Sequence, residues 1–375
     1  MTVKRYDGWL FLSVLGLLGF GVVMVYSTSS YYAQIRFEDG LHFLKRQGLF
    51  ALLGIVVMSM FMMLDYRLLR RFVYVILPIS FILLGLLWIP GLGRKAGGAL
   101  RWIDMGLIWI QPSEPAKLGL LIYLAHIVVK KSDRMHTFGK GFMPPVIVSG
   151  LMILLVFLQP DFGTAATMGA LVMAMLFVGG ANPFHVVGST VLAAPILYVG
   201  LMGAEYRRER ILAFLDPWSS PRDAGFQIIQ SYIALGNGGV TGVGLGMSSQ
   251  KLFYLPMAHT DFVLSVIGEE LGLVGICAVV AAFIVILVRG LKAAIGAPDS
   301  FGAKLAAGLT FMIAIESLVN MGVVMGLLPT KGLPLPLLSY GGTSLVVTMA
   351  AAGILLNVSA APDESLRVYR MEGDQ

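Results

Sequence analysis

Ten long apolar runs, separated by shorter polar segments, restrict the folds open to this sequence. A hydrocarbon core of about 30 Å is crossed by roughly 20 apolar residues in helical form. Backbone inside lipid must satisfy its own hydrogen bonds, which favours helices over open sheets. The pattern therefore predicts an all-α, polytopic membrane protein with ten transmembrane helices. The predicted spans are residues 9–27, 47–64, 72–89, 114–129, 144–158, 164–180, 184–203, 262–288, 302–327 and 343–359.

The composition agrees with a membrane protein and excludes a soluble one. Hydrophobic residues make up 57% of the chain and charged residues 13%, with a mean hydropathy of +0.83. Soluble domains carry about 25% charged residues. The alternating pattern of a membrane β-barrel is absent from the sequence. Because the outermost spans lie near the two ends, we expect one membrane domain over residues 1–375 and no appended soluble domain.

The distribution of lysine and arginine predicts the orientation. With ten spans and the N-terminus inside, 14 of the 27 basic residues face the cytoplasm and 13 face outward. Long loops cross membranes largely regardless of charge. When the loop 204–261 is left out, 14 basic residues face the cytoplasm and 8 face outward. We therefore expect both termini inside and segments 90–113, 204–261 and 328–342 outside.

The loop 204–261, between spans seven and eight, is the most charged segment of the chain. It holds five basic and five acidic residues and ends in Leu255-Pro-Met-Ala-His-Thr-Asp-Phe262. A long charged loop of this kind in a membrane protein is more typical of a catalytic region than of a segment that only anchors the protein in the membrane. Its Gly242-Val-Gly-Leu-Gly246 run has the glycine spacing of a dinucleotide loop, but no strand precedes it. We expect no organic cofactor and no nucleic-acid partner.

Asp261 is the sharpest catalytic candidate because it stands where the chain re-enters the membrane. Partial burial raises the pKa of a carboxyl group towards the range of a general base. Capping of the following helix is the alternative role. His259 can orient the carboxylate or donate to a phosphate. No two histidines have metal-ligand spacing, so zinc is not expected.

Other charged residues are candidates for substrate contact. Arg101 lies beside an interfacial tryptophan and is either a phosphate ligand or an anchor. Glu114 and Lys117 share a helix face and form either a structural ion pair or a substrate site. Arg210 belongs to an arginine cluster that either binds anions or extends to the membrane surface.

Two further outward segments contain candidate residues. Asp161, in Gln159-Pro-Asp-Phe-Gly-Thr164, is placed to cap the next helix, with a metal or sugar contact as the alternative. Lys331 and Ser339 belong to segment 331–344, in which two prolines and a glycine pair predict a re-entrant or broken stretch. Its hydroxyls and free backbone donors suit a polar ligand.

These motifs, in this order, resemble those of the SEDS family, whose members include FtsW, RodA and SpoVE. The resemblance runs from the first span to the last. It rests on Arg101-Trp-Ile103, Gln111-Pro-Ser-Glu114 with Ala116-Lys117, Gln159-Pro-Asp161 with Gly163-Thr164, Leu255-Pro256 with His259-Thr-Asp-Phe262, Glu269-Glu-Leu-Gly272, and Pro334-Leu-Pro336 with Ser339-Tyr-Gly-Gly342. Phe214-Leu-Asp-Pro-Trp218, Gly225-Phe-Gln-Ile-Ile-Gln-Ser231 and Gln250-Lys-Leu-Phe-Tyr-Leu-Pro256 are more similar to the FtsW branch than to RodA.

The resemblance implies a peptidoglycan glycosyltransferase on the outer face of the bacterial cytoplasmic membrane, at the division septum. Its substrate would be lipid II, a disaccharide-pentapeptide on undecaprenyl pyrophosphate. Asp261 matches the family's essential aspartate and would deprotonate the 4-hydroxyl of the acceptor sugar, which attacks the donor's anomeric carbon with inversion. Arg101, Lys117 and Arg210 would stabilise the leaving pyrophosphate.

The resemblance also implies partners and a metal ion. A divalent cation, Mg²⁺ or Mn²⁺, is expected near the pyrophosphate, with Asp261 and Asp161 as candidate ligands. The partners would be a single-span class B penicillin-binding protein, other divisome proteins and membrane lipid. Met257 departs from the family pattern, which commonly has a charged or polar residue there, and this puts in doubt a carboxylate role just ahead of His259.

Three alternatives stay open from the sequence. A lipid II flippase has similar spans and broken helices, but needs a polar path open to each face in turn. A non-catalytic scaffold for a transpeptidase leaves an outward carboxylate beside basic residues unexplained. A RodA-like polymerase would perform the same chemistry during cell elongation.

Overall fold

The computed structural model describes residues 6–360, apart from residues 97, 107–108, 204, 224, 252–254 and 257. A helix occupies each of the ten predicted apolar runs, and three short helices lie between them. In chain order the helices are α1 (Gly8–Phe37), α2 (His42–Met63), α3 (Arg67–Arg71), α4 (Val73–Gly85), α5 (Ser113–Lys130), α6 (Met143–Leu158), α7 (Phe162–Val178), α8 (Pro183–Met202), α9 (Glu205–Leu215), α10 (Phe226–Gly238), α11 (Val263–Ile295), α12 (Ser300–Val324) and α13 (Gly342–Ala360).

The described helices make this a multi-pass membrane protein. Seven of them are long and apolar enough to cross a bilayer, namely α1, α2, α6 with the π-helical turn before it, α8, α11, α12 and α13. Helices α4 and α7 are apolar but shorter. Helix α5 has 18 residues, but Glu114, Lys117 and Lys130 interrupt its apolar character. The mostly helical class agrees with the sequence prediction.

A small antiparallel sheet between α4 and α5 corrects the all-α expectation. Its strands, in the spatial order β1-β2-β3, are β1 (Gly93–Ala96), β2 (Ala99–Asp104) and β3 (Trp109–Ile110). The sequence predicts a loop here because strands this short and rich in glycine and charge show no clear alternation. The Leu100 amide donates to the Gln159 carbonyl at 3.1 Å, which docks β2 on the turn before α7.

Small residues bring the helix backbones of the core together. In α13, Gly353 lies so close to α2 that a Cβ there would be 2.4 Å from the Met58 carbonyl oxygen. In α12, Gly308 lies against the side chains of Met175 and Leu121. Lipid tails are as apolar as the helices, so close packing of this kind supplies much of the association energy.

Helix α10, in the charged loop, packs along the bundle. The sequence predicts a short helix over residues 226–235 that lies along the membrane surface, with Ser231 on its polar side beside Gln227 and Gln230. The helix is present, but Ser231 is buried in protein. Its hydroxyl lies 2.7 Å from the Ser265 hydroxyl and donates to the Val324 carbonyl at 2.7 Å. Because these partners belong to α11 and α12, the helix is fixed to both.

We expect Gly353→Ala to lower the thermal unfolding temperature of the protein, measured by intrinsic fluorescence in detergent. The added Cβ would overlap the Met58 backbone, and overpacking of this kind costs about 1–3 kcal/mol. Gly16 of α1 has no neighbour within 4 Å of its Cβ position, so Gly16→Ala is the matched control. It should leave the unfolding temperature unchanged or raise it, because alanine favours helix by about 1 kcal/mol over glycine. Equal unfolding temperatures for the two variants would contradict this helix contact.

Candidate active site

Four cationic side chains and one carboxylate meet in a cleft at the end of the bundle where α7 and α11 begin. The cleft is formed by β2, the turn before α7, helix α9 and the segment between α12 and α13. Its lining residues are Arg101, Pro160, Asp161, Phe162, Gly163, Arg207, Arg210, Ile211, Pro329, Thr330, Lys331 and Gly332. This excess of positive charge makes the cleft suited to a polyanion.

Arg101 and Asp161 form an ion pair within the cleft. The Nη2 atom of Arg101 donates to Asp161 Oδ1 at 3.0 Å, and both side chains are largely buried. Asp161 also caps α7, because its carboxylate accepts from the Thr164 amide at 3.4 Å and the Thr164 hydroxyl at 3.0 Å. The Nε atom of Arg101 is buried without a hydrogen-bond partner.

Asp261 lies next to the cleft, in the turn before α11. The side-chain amide of Asn320 donates to the Asp261 carbonyl at 2.9 Å and to the Leu333 carbonyl at 2.7 Å. A Cβ at Gly332 would be 3.2 Å from Asp261 Oδ2 and 3.4 Å from Arg101 Nη1. Gly332 therefore packs against the carboxylate and the guanidinium at once, and larger side chains would crowd both.

The surroundings of Asp261 raise its pKa. Burial raises the pKa of this carboxyl to about 6, while the charge of Arg101, a hydrogen bond from Thr260 and the charge of Arg210 oppose the rise. At neutral pH the group is mostly ionised, yet it is a stronger base than an exposed aspartate. This combination suits a general base.

His259 braces the loop that carries Asp261. Its ring lies 4.7 Å from the ring centroid of Phe43, 5.8 Å from that of Tyr32 and 5.9 Å from that of Tyr340. Its carbonyl accepts from the Tyr340 amide at 2.9 Å. Burial lowers the pKa of His259 to about 4, so the ring is neutral at pH 7. The geometry favours packing over the phosphate contact that the sequence suggests as an alternative.

Three more candidate residues occupy the segments around the cleft. Lys331 lines the cleft, where burial lowers its pKa and the charge of Asp161 opposes that shift. Arg210 lines it from α9 and lies 3.5 Å from the Thr330 carbonyl. Ser339 is buried and accepts from the Leu335 amide at 2.9 Å, so its hydroxyl closes a turn.

Glu114 and Lys117 belong to a buried ion cluster and do not line the cleft. The ammonium of Lys117 lies 2.9 Å from the Glu114 carboxylate. It also pairs closely with Glu316 of α12. All three side chains are at least nine-tenths buried. The structural ion pair proposed as the alternative is therefore formed, with a third member that joins α5 to α12.

Three residues of the site were not among the candidates. Arg207 lines the cleft, with its guanidinium carbon 4.0 Å from the Phe162 ring centroid. Its position three residues before Arg210 on one helix was the available signal. Asn320 shares a helix face with Glu316, which predicts hydrogen bonds between helices. Its actual partners are the carbonyls of Asp261 and Leu333. Gly332 acts through a contact between segments distant in sequence, for which the sequence has no local signal. Met257 lies outside the described residues.

We expect Lys117→Met to lower the stability of the protein strongly, because two carboxylates would remain buried together without a counter-ion. Removing one partner of a buried pair costs about 3–5 kcal/mol. The measurement is thermal unfolding in detergent. The triple variant Lys117→Met, Glu114→Gln, Glu316→Gln should recover much of the loss. If Lys117→Met unfolds at the wild-type temperature, the cluster has no structural role.

Comparisons with known proteins show the family to which this chain belongs. The sequence profile of the cell cycle protein family that includes FtsW, RodA and SpoVE matches residues 8–364. A probable peptidoglycan glycosyltransferase FtsW from Geobacter sulfurreducens is 50% identical, covering 95% of this chain and 96% of its own. Stage V sporulation protein E from Bacillus subtilis is 42% identical, covering 96% and 99%.

Solved structures show the same fold. A chain from a peptidoglycan synthase complex that coordinates polymerization and crosslinking superposes with a TM-score of 0.77 at 29% identity, covering 95% of this chain and 98% of its own. The crystal structure of the rod shape determining protein RodA from Thermus thermophilus gives a TM-score of 0.67 at 27% identity, covering 95% and 97%. The chain therefore belongs to the FtsW, RodA and SpoVE family of cell cycle proteins.

Proposed function

We propose that this protein is a peptidoglycan glycosyltransferase that polymerises lipid II during septal cell-wall synthesis. The observation that carries the proposal is Asp261, whose pKa burial raises to about 6, beside a cleft lined by four cations. Polymerisation of lipid II requires both parts, since a hydroxyl must lose a proton and a pyrophosphate must leave. The relative named as a glycosyltransferase, at 50% identity over nearly the whole chain, supports the same reaction.

We place the cleft on the outer face of the bacterial cytoplasmic membrane. In this topology the helices at all ten predicted spans cross the bilayer and both termini lie inside, as the lysine and arginine distribution indicates. The chain forms one membrane domain. Residues 204–261 then face the periplasmic or outer side, where lipid II presents its disaccharide.

In the proposed reaction the Asp261 carboxylate takes the proton of the acceptor's 4-hydroxyl. The resulting oxygen nucleophile attacks the anomeric carbon of the donor sugar, and a new glycosidic C–O bond forms with inversion. The bond between that carbon and the pyrophosphate oxygen breaks, so undecaprenyl pyrophosphate leaves with the electron pair. Asn320 and Gly332 hold the base in place through the contacts described above.

The leaving pyrophosphate would bind in the cationic cleft. Arg101, Arg207, Arg210 and Lys331 line it and would stabilise the charge that develops as the bond breaks. Arg101 is held in the cleft by its ion pair with Asp161. Lys117 forms ion pairs with Glu114 and Glu316. We therefore propose that it stabilises the fold and does not bind the pyrophosphate.

A divalent cation, Mg²⁺ or Mn²⁺, stays a prediction for this site. Within the described part of the chain, no group of three or more His, Cys, Asp or Glu side chains is placed to hold a metal ion. Asp161 already accepts from Arg101 and Thr164, and Asp261 is surrounded by positive charge. The protein side chains alone do not fit a resident metal, so we derive no step through one.

The proposed partners follow from the reaction. Glycan strands must be cross-linked after polymerisation, which fits a class B penicillin-binding protein with a single span, together with other divisome proteins. The similarity to a chain of a peptidoglycan synthase complex supports such an assembly. The motifs shared with the FtsW branch favour the septum over the side wall.

We expect Asp261→Asn to reduce lipid II polymerisation by about 100-fold or more, because general-base catalysis contributes roughly 10²–10⁴-fold. The assay is the length distribution of glycan strands made from labelled lipid II by the purified protein with its partner transpeptidase. Asp223→Asn is the matched control, because Asp223 is an exposed carboxylate of the same loop.

The outcomes of this assay separate the alternatives. Glycan ladders of equal strength from Asp261→Asn and Asp223→Asn would show that Asp261 is not the base. If the wild-type protein makes no ladders even with its partner, a flippase or a scaffold becomes the better description. Unfolding of Asp261→Asn would be recognised by gel filtration before the assay.

The rate of polymerisation should fall as the pH drops through about 6, because the active form of Asp261 is the carboxylate. Arg101 holds the pKa of Asp261 down through its charge. Arg101→Gln should therefore move the acidic limb of the pH–rate profile to higher pH, in addition to weakening substrate binding. Arg222→Gln, at an exposed position of the same loop, should leave the limb in place. An unshifted limb in Arg101→Gln would separate Arg101 from the base.

A further inference from the structure

Helix α11 is interrupted near its beginning, and the interruption leaves backbone groups without helical partners. Gly272 has φ +65° and ψ −161°, a conformation that breaks the helical hydrogen-bond ladder. The groups released are the carbonyls of Glu269 and Glu270 and the amides of Leu273 and Val274, since each would otherwise pair four residues along. Unpaired backbone groups at membrane depth are costly, so other partners are required.

The segment after α10 supplies those partners. The amides of Val243 and Gly244 donate to the carbonyls of Glu269 and Glu270, each at 3.0 Å. In return, the Leu273 amide donates to the Gly239 carbonyl at 2.9 Å. The Val274 amide donates to the Val240 carbonyl at 3.2 Å. All four released groups are thus satisfied by residues 239–244, and the loop is an integral part of the interrupted helix.

Helix α10 packs beside α11 and runs parallel to it, starting from the end of α11 that lies near Asp261. Ser231 contacts Ser265, and eight residues later Gly239 contacts Leu273, which is also eight residues further along α11. Between these points, Gly238 lies so close that a Cβ would be 1.9 Å from the Gly268 carbonyl oxygen. The chain therefore runs along α11 from the Asp261 end, turns at residues 239–240, and returns.

The depth of the turn follows from the length of α11. Arg289 pairs with Asp7, the N-cap of α1, and so marks the boundary opposite Asp261. The uninterrupted part of α11 runs 16 residues from Leu273 to Arg289, or about 24 Å at 1.5 Å per residue, which is less than the ~30 Å of a hydrocarbon core, so the outer boundary lies beyond Leu273. Leu273 and Val274 lie inside that boundary, and Gly239 and Val240 pair with them.

The side chains at the turn are those of a lipid-facing surface. Val240 and Met247 are 65% and 72% exposed, and Val243 and Leu245 are also exposed. The neighbouring Leu273 and Val274 of α11 continue the same apolar surface. Charged groups in this region are instead turned inward, where Lys251 pairs with the buried Glu270 at 3.1 Å.

The return of the chain towards Asp261 is fixed by two buried carboxylates. Glu269 accepts from the Ser249 hydroxyl at 3.0 Å and also from the Ser248 hydroxyl. Glu270 accepts from Ser27 at 2.7 Å as well as from Lys251. The turn is therefore held at a set depth by contacts on both of its limbs.

From these observations we infer that residues 226–247 form a re-entrant segment whose turn contacts the acyl chains of the outer leaflet. This arrangement differs from the expectation that the helix at residues 226–235 lies along the membrane surface, because the helix runs parallel to α11. It holds whether or not the protein polymerises lipid II, because it depends on the backbone pairing, the depth along α11, the exposed apolar side chains and the proposed orientation of the bundle, none of which requires catalysis.

The test uses single cysteines carrying a bimane fluorophore in the full-length protein, reconstituted in phosphatidylcholine vesicles with or without doxyl-labelled lipid. The background variant is Cys277→Ser, which removes the exposed cysteine of α11. Val240→Cys and Val243→Cys probe the turn, and Arg222→Cys is the water-facing control in the same loop. The natural Cys277 serves as the lipid-facing control.

We expect doxyl lipid to reduce the fluorescence at Val240→Cys at least twofold, as at Cys277, while aqueous iodide has little effect. Arg222→Cys should show the reverse. If both turn probes follow Arg222→Cys, the segment lies in water and the inference is wrong. Quenching by neither agent would show that protein covers the turn, from a partner or a second copy, and would also overturn lipid contact. The fluorescence readout does not depend on activity, so failure of the proposed function would be distinguishable.

Discussion

Lipid offers no hydrogen-bonding partner, and this constraint determines how the outer half of the bundle is built. Polar groups there must find partners in the protein, and each such partner joins segments distant in sequence. Lys117 of α5 pairs with Glu316 of α12, 199 residues away. The side-chain amide of Asn320 donates to the Asp261 and Leu333 carbonyls, and it thereby joins the turn before α11 to the segment before α13. The active-site segments are thus held together by the same contacts that make their polar groups tolerable in a membrane.

The constraint also explains why Asp261 can serve as a base. A carboxylate in a tight ion pair has a depressed pKa and is a weak base. Arg101 gives its hydrogen bond to Asp161 and lowers the pKa of Asp261 only through its charge. Burial then dominates, and the pKa rises to about 6. Asp161 caps α7 and pairs with Arg101, whereas Asp261 has a raised pKa. The proposed mechanism therefore assigns the structural charge to Asp161 and the reactive one to Asp261.

Much of this organisation could be predicted from the sequence, and the rest could not for physical reasons. Apolar runs report burial in lipid directly, so a helix is found at each of the ten predicted positions. The candidates Arg101, Asp161, Arg210 and Lys331 do meet in one cleft. The small sheet carries no alternation, and the pairing of Lys117 with Glu316 depends on tertiary contact. The glycines near residue 242 do not form a nucleotide loop, and the close approach of Gly242 to the Glu270 backbone appears only in the structure.

The interruption of α11 connects the proposed lipid contact to the site of chemistry. Asp261 lies immediately before the outer piece of this helix, and Glu269 and Glu270 lie at its inner end. Because the hydrogen-bond ladder stops at Gly272, the axis of the outer piece is not dictated by the long span that follows. Its direction is set by the re-entrant segment, which supplies the missing hydrogen bonds, and by Asn320, which holds the Asp261 carbonyl. The position of Asp261, the proposed base, is therefore determined jointly by protein contacts at the cleft and by the segment that we infer to contact the outer leaflet.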